Sequence, residues 1–187
     1  MIPRGIIIHH SATVDGRTFS WQQIRKYHMS YRIDNRIVSK EEFYRRLEKK
    51  DGRKFEKPWR DIGYHAGIEL IEDHYEVLIG RPLYMMGAHC KGYNDYIGFC
   101  FIGNWDIKEP EYERLEYAIT HFIVPVIRMM GFSVGDIYYH RNFAKKTCPG
   151  RLFPDLYDFR RMVSHYLVKE NLYLAGEKMK TWIRRWS

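Results

Sequence analysis

The chain has 187 residues, of which 45% are hydrophobic and 29% are charged, proportions that are ordinary for a globular protein and exclude a disordered one. A single domain of this length buries roughly two-thirds of the surface that its unfolded chain exposes. The formal net charge of +8 suits an acidic partner such as nucleic acid, a membrane surface or an anionic cell-wall polymer, and charge alone does not choose among them.

The cysteines and the apolar runs indicate in which cellular compartment the protein is made. Cys90, Cys100 and Cys148 are an odd set without a short framework spacing, which argues against a disulfide-stapled secreted scaffold. The N-terminal run MIPRGIII is too short for a signal peptide, and no apolar stretch approaches the ~20 residues of a membrane span. We therefore expect a chain that is synthesised in the cytoplasm without a signal peptide and is soluble there.

The first part of the chain predicts one buried strand and two helices. The β-branched run GIIIHH (5–10) is typical of a buried strand. Ser20, followed three residues later by a glutamine, has the pattern of a capping box and predicts a helix start. Ser39 and Glu42 repeat the pattern, so a second, charge-rich helix is predicted to end near Gly52.

The middle of the chain predicts three further strands and a long helix. HAGIELIEDHYEVLIG (65–80) has the pattern of two strands around a polar turn, and YIGFCFIG (96–103) that of a buried strand. Residues 109–131 form the clearest helical pattern, with apolar side chains along one side. Pro125 should kink this helix, because proline has no N–H to donate.

The last part of the chain completes the expected architecture. VGDIYYH (134–140) predicts a strand, and two helical segments follow at 154–169 and 171–186. Strands that alternate with helices, interrupted by one hairpin, predict an α/β fold with a mixed central β-sheet flanked by helices. We expect a single domain over 1–165 and a C-terminal helical extension over 166–187.

Three residues could form a metal site. His9 ends the first predicted strand, His140 ends the strand before HRNFAKKTCPG, and Cys148 follows in that segment. Two histidines and a thiolate are a three-ligand set for zinc that leaves the fourth position to water, as a catalytic site requires. Zinc lowers the pKa of such a water to ~7, so that hydroxide is available at neutral pH.

Each of these residues also has a simpler interpretation. A histidine at a strand end is more often a hydrogen-bonded polar residue than a ligand, and a lone cysteine is more often a small core side chain. Cys100, within GFCFIG, is expected to be such a core residue. Successive strand side chains face opposite sides, so only one of His9 and His10 should be a ligand. The residues alone do not say which.

Four segments carry a resemblance to a known family: IIIHHSAT (6–13), DIGYHAGI (61–68), GAHCKGYNDYIGFCFIGN (87–104) and HRNFAKKTCPG (140–150). Together and in this order they resemble the signature segments of zinc-dependent N-acetylmuramoyl-L-alanine amidases. That family includes phage amidase-type lysozymes and the animal peptidoglycan-recognition proteins. The resemblance does not cover the tail after 165 or residues 31–58, and the latter are expected to be an insertion.

The resemblance implies an amidase-like fold and a set of site roles. It makes His9, His140 and Cys148 the ligands of a single Zn²⁺ ion per chain. It gives Tyr64 and Lys146 the positions of catalytic residues. A lysine two positions before the cysteine is typical of the phage-type enzymes, whereas many recognition proteins carry threonine there. At this position the chain therefore resembles the phage-type branch.

The reaction implied is hydrolysis of the amide between N-acetylmuramic acid and L-alanine of the stem peptide, as in endolysin-type lysis of the bacterial cell wall. Zinc would polarise the carbonyl, and Lys146 would stabilise the developing oxyanion. Tyr64 could assist or could orient the water or shuttle its proton. His89 and Asn94, in GAHCKGYN, are expected to line the glycopeptide groove, and a structural use in turning that loop is an equal alternative.

Two other interpretations stay open. A non-catalytic peptidoglycan-binding receptor would share the fold, but such relatives commonly lose the cysteine that this chain retains as Cys148. A nucleic-acid-binding protein would suit the charge, but no recognised motif supports it, so no specific nucleic acid is expected. We expect a monomer that acts on the cell wall, reaching it through a membrane lesion made by a lysis partner.

The tail has an apolar stripe at helical spacing, formed by Leu172, Ala175, Met179, Trp182 and Trp186. With lysines and arginines elsewhere on the helix, this stripe could contact an anionic wall or membrane surface. Packing of the helix on the domain is the alternative.

Overall fold

The computed structural model describes residues 1–13, 20–49 and 52–186. Its strands are β1 (Ile6–His10), β2 (Arg32–Ile33), β3 (Arg36–Ile37), β4 (Phe55–Glu56), β5 (Ala66–Ile71), β6 (His74–Ile79), β7 (Ile97–Phe101) and β8 (Ile137–Tyr139). Its helices are α1 (Ser20–His28), α2 (Lys40–Glu48), α3 (Tyr112–Ala118), α4 (Val124–Met130) and α5 (Leu156–Trp186). The capping pattern predicted at Ser20 involves a side chain outside the described residues.

A five-stranded sheet in the order β6-β5-β7-β1-β8 forms the centre of the fold. β1 pairs in parallel with β7 and with β8, and β5 pairs in parallel with β7. β5 and β6 form the predicted hairpin and are antiparallel. Every residue of β1 and β7 is buried, as expected for central strands that are covered on both faces. The predicted single α/β domain with a mixed central sheet is therefore confirmed.

Alternate residues of β1 and β7 face opposite sides of this sheet. The side covered by α3, α4 and α5 holds the larger core, which includes Ile6, Ile8, Phe99, Phe101, Leu115, Phe122 and Phe159. His9 pairs with Cys100 across the β1–β7 ladder, so both side chains lie on the other side. There Cys100 packs against Trp21 of α1. The polar residues of β1 thus emerge at the end of a strand whose position is set by apolar packing.

The long helix predicted over 109–131 is divided by a π-helical turn. α3 runs into a wider turn at Ile119–Ile123, in which the N–H of Val124 donates to the carbonyl of Ile119. Pro125 follows this turn and has no N–H, so the kink predicted there takes the form of a π-bulge. α4 ends as predicted at Gly131, which has a left-handed φ of 70°.

One predicted element near the site needs correction. The strand predicted over 134–140 is confined to β8, because Val134–Asp136 and His140–Asn142 are 3₁₀ turns. Asp136 accepts hydrogen bonds from the backbone and hydroxyl of Ser133, which favours the tight turn before β8. His140 therefore lies in the turn after β8 and not within the strand.

The two helical segments predicted at 154–169 and 171–186 are one continuous helix, α5. Neither glycine nor proline occurs near residue 170 to break it. Arg128 also holds this region, through an ion pair to Glu170 and a hydrogen bond to Asn171. The expected boundary between 1–165 and 166–187 falls inside α5 and stays a prediction. Among the described residues, no helix has the length and apolarity needed to span a bilayer.

Residues 31–58 form a small unit of their own, built from α2 and a three-stranded sheet in the order β3-β2-β4. The Ser39 side chain caps α2 by accepting from the N–H of Glu42, while the Glu42 carboxylate binds Arg46 instead of closing the box. α2 ends at Glu48, ahead of the predicted Gly52. That this unit is an insertion stays a prediction.

A truncation series will test how far α5 belongs to the domain. Tyr166 is buried and its hydroxyl donates to Glu116, whereas Leu172, Tyr173 and Leu174 are exposed by 70%, 66% and 42%. We predict that ending the chain after Asn171 changes the free energy of unfolding by less than about 1 kcal/mol, as for other exposed residues. Ending it after Ser164 removes Tyr166 and should cost at least about 3 kcal/mol.

Urea denaturation of both truncated forms measures these changes. A loss of several kcal/mol in the shorter deletion would mean that the tail packs on the domain. The stripe residues Met179, Trp182 and Trp186 have side chains outside the described residues, so wall or membrane contact through them stays a prediction.

Candidate metal centre and its cavity

Three side chains from two segments of the chain converge at the carboxyl end of β1. The ligand atoms of His9, His140 and Cys148 all lie within 4.8 Å of one another. All three residues are buried, with exposures of 1%, 8% and 7%. The parallel pairing of β1 with β8 ends both strands at the same edge, and the N–H of Arg141 donates to the carbonyl of Cys148 and closes the loop between them. The structure thus brings together the three residues predicted to be ligands.

The electrostatics of this set suit a divalent cation. Burial lowers the pKa of His9 well below its usual range and that of His140 to about 4, so both rings are neutral and have a free lone pair. Burial raises the pKa of the Cys148 thiol to about 12, although the His10 N–H, which donates to the sulfur, and the charge of Lys146 oppose the rise. A bound cation would supply the positive charge that favours the thiolate. Two imidazoles and a thiolate are donors typical of zinc.

The two neighbouring histidines of β1 are used differently. His9 Nδ1 lies 3.7 Å from the sulfur of Cys148. The ring of His10 turns to the other side, where its Nδ1 accepts from the backbone N–H of Trp105. Only His9 therefore belongs to the three-residue set, as the resemblance implied.

A cavity of ≈ 300 Å³ opens beside this set. Tyr64 and Lys146, the predicted catalytic residues, both border it. The rings of Tyr64 and His9 are 5.2 Å apart. Burial raises the pKa of Tyr64 well above its usual range, so its hydroxyl is a donor at neutral pH and not a base. The charge of Lys146 is felt by His9, as a further cause of its lowered pKa.

His28 and Trp59 form another wall of the cavity, and sequence reasoning missed both. Their rings stack with centroids 4.4 Å apart. Burial, aided by the charges of Arg32 and Arg81, lowers the pKa of His28 to about 4, which leaves it neutral. Trp59 comes directly before the RDIGYH run, and that position was a usable signal. His28 lies at the end of α1, outside the four segments that carry the resemblance, and no sequence signal marked it as a site residue.

The two residues expected to line the groove have different surroundings. Asn94 does not border the cavity; its side-chain oxygen accepts from the N–H groups of His89 and Cys90, both at 2.9 Å, and so shapes the loop. His89 does border the cavity. Burial lowers its pKa to about 3, and its two ring nitrogens lie 2.9 Å from His9 Nε2 and 3.0 Å from the carbonyl of Tyr96.

The remaining cysteines lie outside the ligand set. Cys100 is fully buried in the apolar cluster under α1, as expected of a core residue, and Cys90 is buried beside Tyr96. Both are free thiols, as is Cys148.

Solved structures with this architecture include N-acetylmuramoyl-L-alanine amidase LysC from Clostridium intestinale URNW, at 18% sequence identity and a TM-score of 0.56, with 88% of this chain and 85% of that chain covered. Drosophila PGRP-LB is 25% identical, with a TM-score of 0.54 and 82% and 79% covered. A mutant of PGRP-LB in complex with tracheal cytotoxin is 22% identical, with a TM-score of 0.55 and the same coverage. No family model and no curated protein matches the chain.

These comparisons confirm the resemblance carried by the four segments at the level of the fold. The chain has the α/β fold shared by N-acetylmuramoyl-L-alanine amidases and peptidoglycan recognition proteins. Both hydrolases and recognition proteins are built on it, so the activity has to be argued from the site.

Substitution of Cys148 by serine tests the metal centre. We predict that the purified protein binds a single zinc ion per chain and that Cys148→Ser loses it on dialysis, because a neutral hydroxyl is a much poorer zinc ligand than a thiolate. Cys90→Ser, another buried thiol outside the set, is the matched control and should keep its zinc. Elemental analysis by mass spectrometry measures the metal. Zinc retained at the wild-type level in Cys148→Ser would remove Cys148 from the centre.

Proposed function

We propose that the protein is a zinc-dependent N-acetylmuramoyl-L-alanine amidase, which cleaves the amide between N-acetylmuramic acid and L-alanine of the stem peptide in an endolysin-like lysis of the cell wall. One observation carries the proposal: a complete, buried His9, His140 and Cys148 set opens into a cavity bordered by Tyr64 and Lys146. A protein that only binds its ligand needs neither the metal set nor a half-buried phenol beside it.

The walls of the cavity suit a glycopeptide. Trp59 and His28 present stacked rings on which the apolar face of a sugar or a peptide side chain can pack. The net charge of +8 favours association with phosphorylated or carboxylated wall polymers. The Drosophila relative solved with tracheal cytotoxin and the clostridial amidase support a ligand of this class.

When bound, zinc would supply a Lewis acid and a water whose pKa is near ~7. Residues of the chain would stabilise the developing charge and bind the substrate. The Lys146 ammonium stabilises negative charge that develops on the carbonyl oxygen of the scissile amide. The Tyr64 hydroxyl keeps its proton because burial raises its pKa, and in the structure it hydrogen-bonds Cys100. Turned toward the cavity that its side chain borders, it would donate a hydrogen bond to the same carbonyl oxygen. His28 and Trp59, which also border the cavity, would contact the substrate beside Tyr64.

The site of action follows from the proposed substrate. The enzyme would act on the bacterial wall after release through a lysis partner, and no specific nucleic acid is needed for its function. Analytical ultracentrifugation should show a monomer.

Digestion of purified peptidoglycan tests the proposal directly. Incubation with the protein should release stem peptides with a free L-alanine amino terminus and leave the glycan strands intact, and mass spectrometry identifies both products. Cys148→Ser should give background hydrolysis while still binding peptidoglycan in a pull-down, because the cavity walls do not depend on the sulfur. Binding by the wild type without any cleaved bond would establish the receptor instead.

Lys146→Ala tests the proposed oxyanion donor. Loss of one such donor typically lowers kcat by ~10²–10³, and zinc content should be unchanged because the lysine is not a ligand. Lys145→Ala is the matched control, since its neighbour Lys146 borders the cavity and Lys145 does not. Steady-state kinetics on a soluble muramyl peptide gives kcat and KM. An unchanged kcat in Lys146→Ala would exclude the lysine from the mechanism.

A further inference from the structure

A chain of hydrogen bonds runs from the backbone to the metal set through His89. The carbonyl oxygen of Tyr96 lies 3.0 Å from His89 Nε2. His89 Nδ1 lies 2.9 Å from His9 Nε2. His9 Nδ1, at the far side of that ring, faces the sulfur of Cys148 at 3.7 Å.

The Tyr96 carbonyl at the start of this chain of hydrogen bonds decides which ring nitrogen of His89 and of His9 carries the proton. A carbonyl oxygen can only accept, so the proton of the neutral His89 ring lies on Nε2 and its Nδ1 is left as an acceptor. His9 must then donate from Nε2 to that acceptor, and this places its own lone pair on Nδ1. The lone pair therefore points toward Cys148, where a metal would be held.

The His89 ring packs directly against two glycines, where any side chain would collide with it. A Cβ added at Gly98 would lie 2.5 Å from His89 Cδ2, and one added at Gly87 would also collide with the ring. Asn94 fixes the backbone of the same residue by accepting from its N–H. Gly87, Gly98 and Asn94 thus have one shared effect, which is to fix the position and orientation of this imidazole.

We propose that His89 is a positioning residue that sets the tautomer and ring orientation of His9 before metal binding, and not a substrate ligand. The inference rests on the proposed zinc site and deepens it. Both ring nitrogens of His89 are engaged within the protein, so neither is left for a glycopeptide. Partners of this kind fix the ligating nitrogen of a metal-bound histidine, and their loss typically costs ~10–100-fold in metal affinity.

Two substitutions of His89 separate this role from simple packing. Asparagine keeps an acceptor oxygen where Nδ1 stood but loses ring volume, whereas phenylalanine keeps the volume and loses the acceptor. We expect His89→Phe to weaken zinc binding ~10–100-fold and His89→Asn to weaken it less. A packing role predicts the reverse order, because phenylalanine fills the space between Gly87 and Gly98 better. Competition with a chromophoric chelator measures the zinc affinities, and thermal melts verify that each variant is folded.

His65→Phe is the matched control. His65 is fully buried, and its ring nitrogens contact the N–H of Gly98 and the carbonyl of Met85, but not His9. It should lose stability and keep its zinc affinity. Equal zinc affinity in wild type and folded His89→Phe, or weaker binding by His89→Asn than by His89→Phe, would overturn the inference.

Nitrogen-15 NMR of the metal-free wild-type protein gives a test that needs no variant. Long-range ¹H–¹⁵N spectra should show both His9 and His89 as the Nε2–H tautomer, and an Nδ1–H tautomer at His9 would overturn the proposal. The two proposals fail separately: wild-type protein that binds no zinc removes the proposed function, whereas wild-type zinc affinity in His89→Phe removes only the positioning role of His89.

Discussion

The parallel pairing of β1 with both of its neighbours is the constraint on which the site depends. Ile6 to Ile8 are fully buried and pair with β7 on one side and β8 on the other, so β1 cannot shift by a residue without moving the His9 imidazole to the face of the larger apolar core. The same register places His9 at the edge of the sheet where β8 ends and where His140 follows. Apolar burial, which has no chemical role, thereby sets the positions of two polar residues.

Much of this fold could be predicted from the sequence because its central strands are strongly patterned. The runs GIIIHH and YIGFCFIG and the hairpin at 65–80 appear where periodicity placed them. The differences arise where the decisive contact is distant in sequence or depends on a single backbone group. The ion pair of Arg128 holds the middle of α5, and the missing N–H of Pro125 favours a π-helical turn. Helical periodicity in the sequence reports neither effect.

The site was predictable to a different degree for each residue. Residue types suggested a zinc set, but the choice of His9 over His10 needed the resemblance, because strand pairing decides which of the two rings lies beside His140 and Cys148. The hydrogen bonds of His89 could not be predicted from GAHCKGYN, since its two partners, His9 and Tyr96, are identified only by the folded geometry. His28 and Trp59 come together through packing of α1 against the segment before β5.

The guanidinium of Arg32, in β2 of the small sheet, lies over the rings of Tyr27 and Trp59, at 4.3 Å and 5.3 Å from their centroids. One wall of the cavity is thus braced by the small sheet, while the metal set is held by the large one. The two halves of the site can therefore change independently: substitutions in residues 31–58 can reshape the wall that meets the ligand while the three metal-binding positions keep their geometry. Under the proposed function, such an arrangement lets a lineage change which cell-wall polymer it recognises without rebuilding the candidate metal centre.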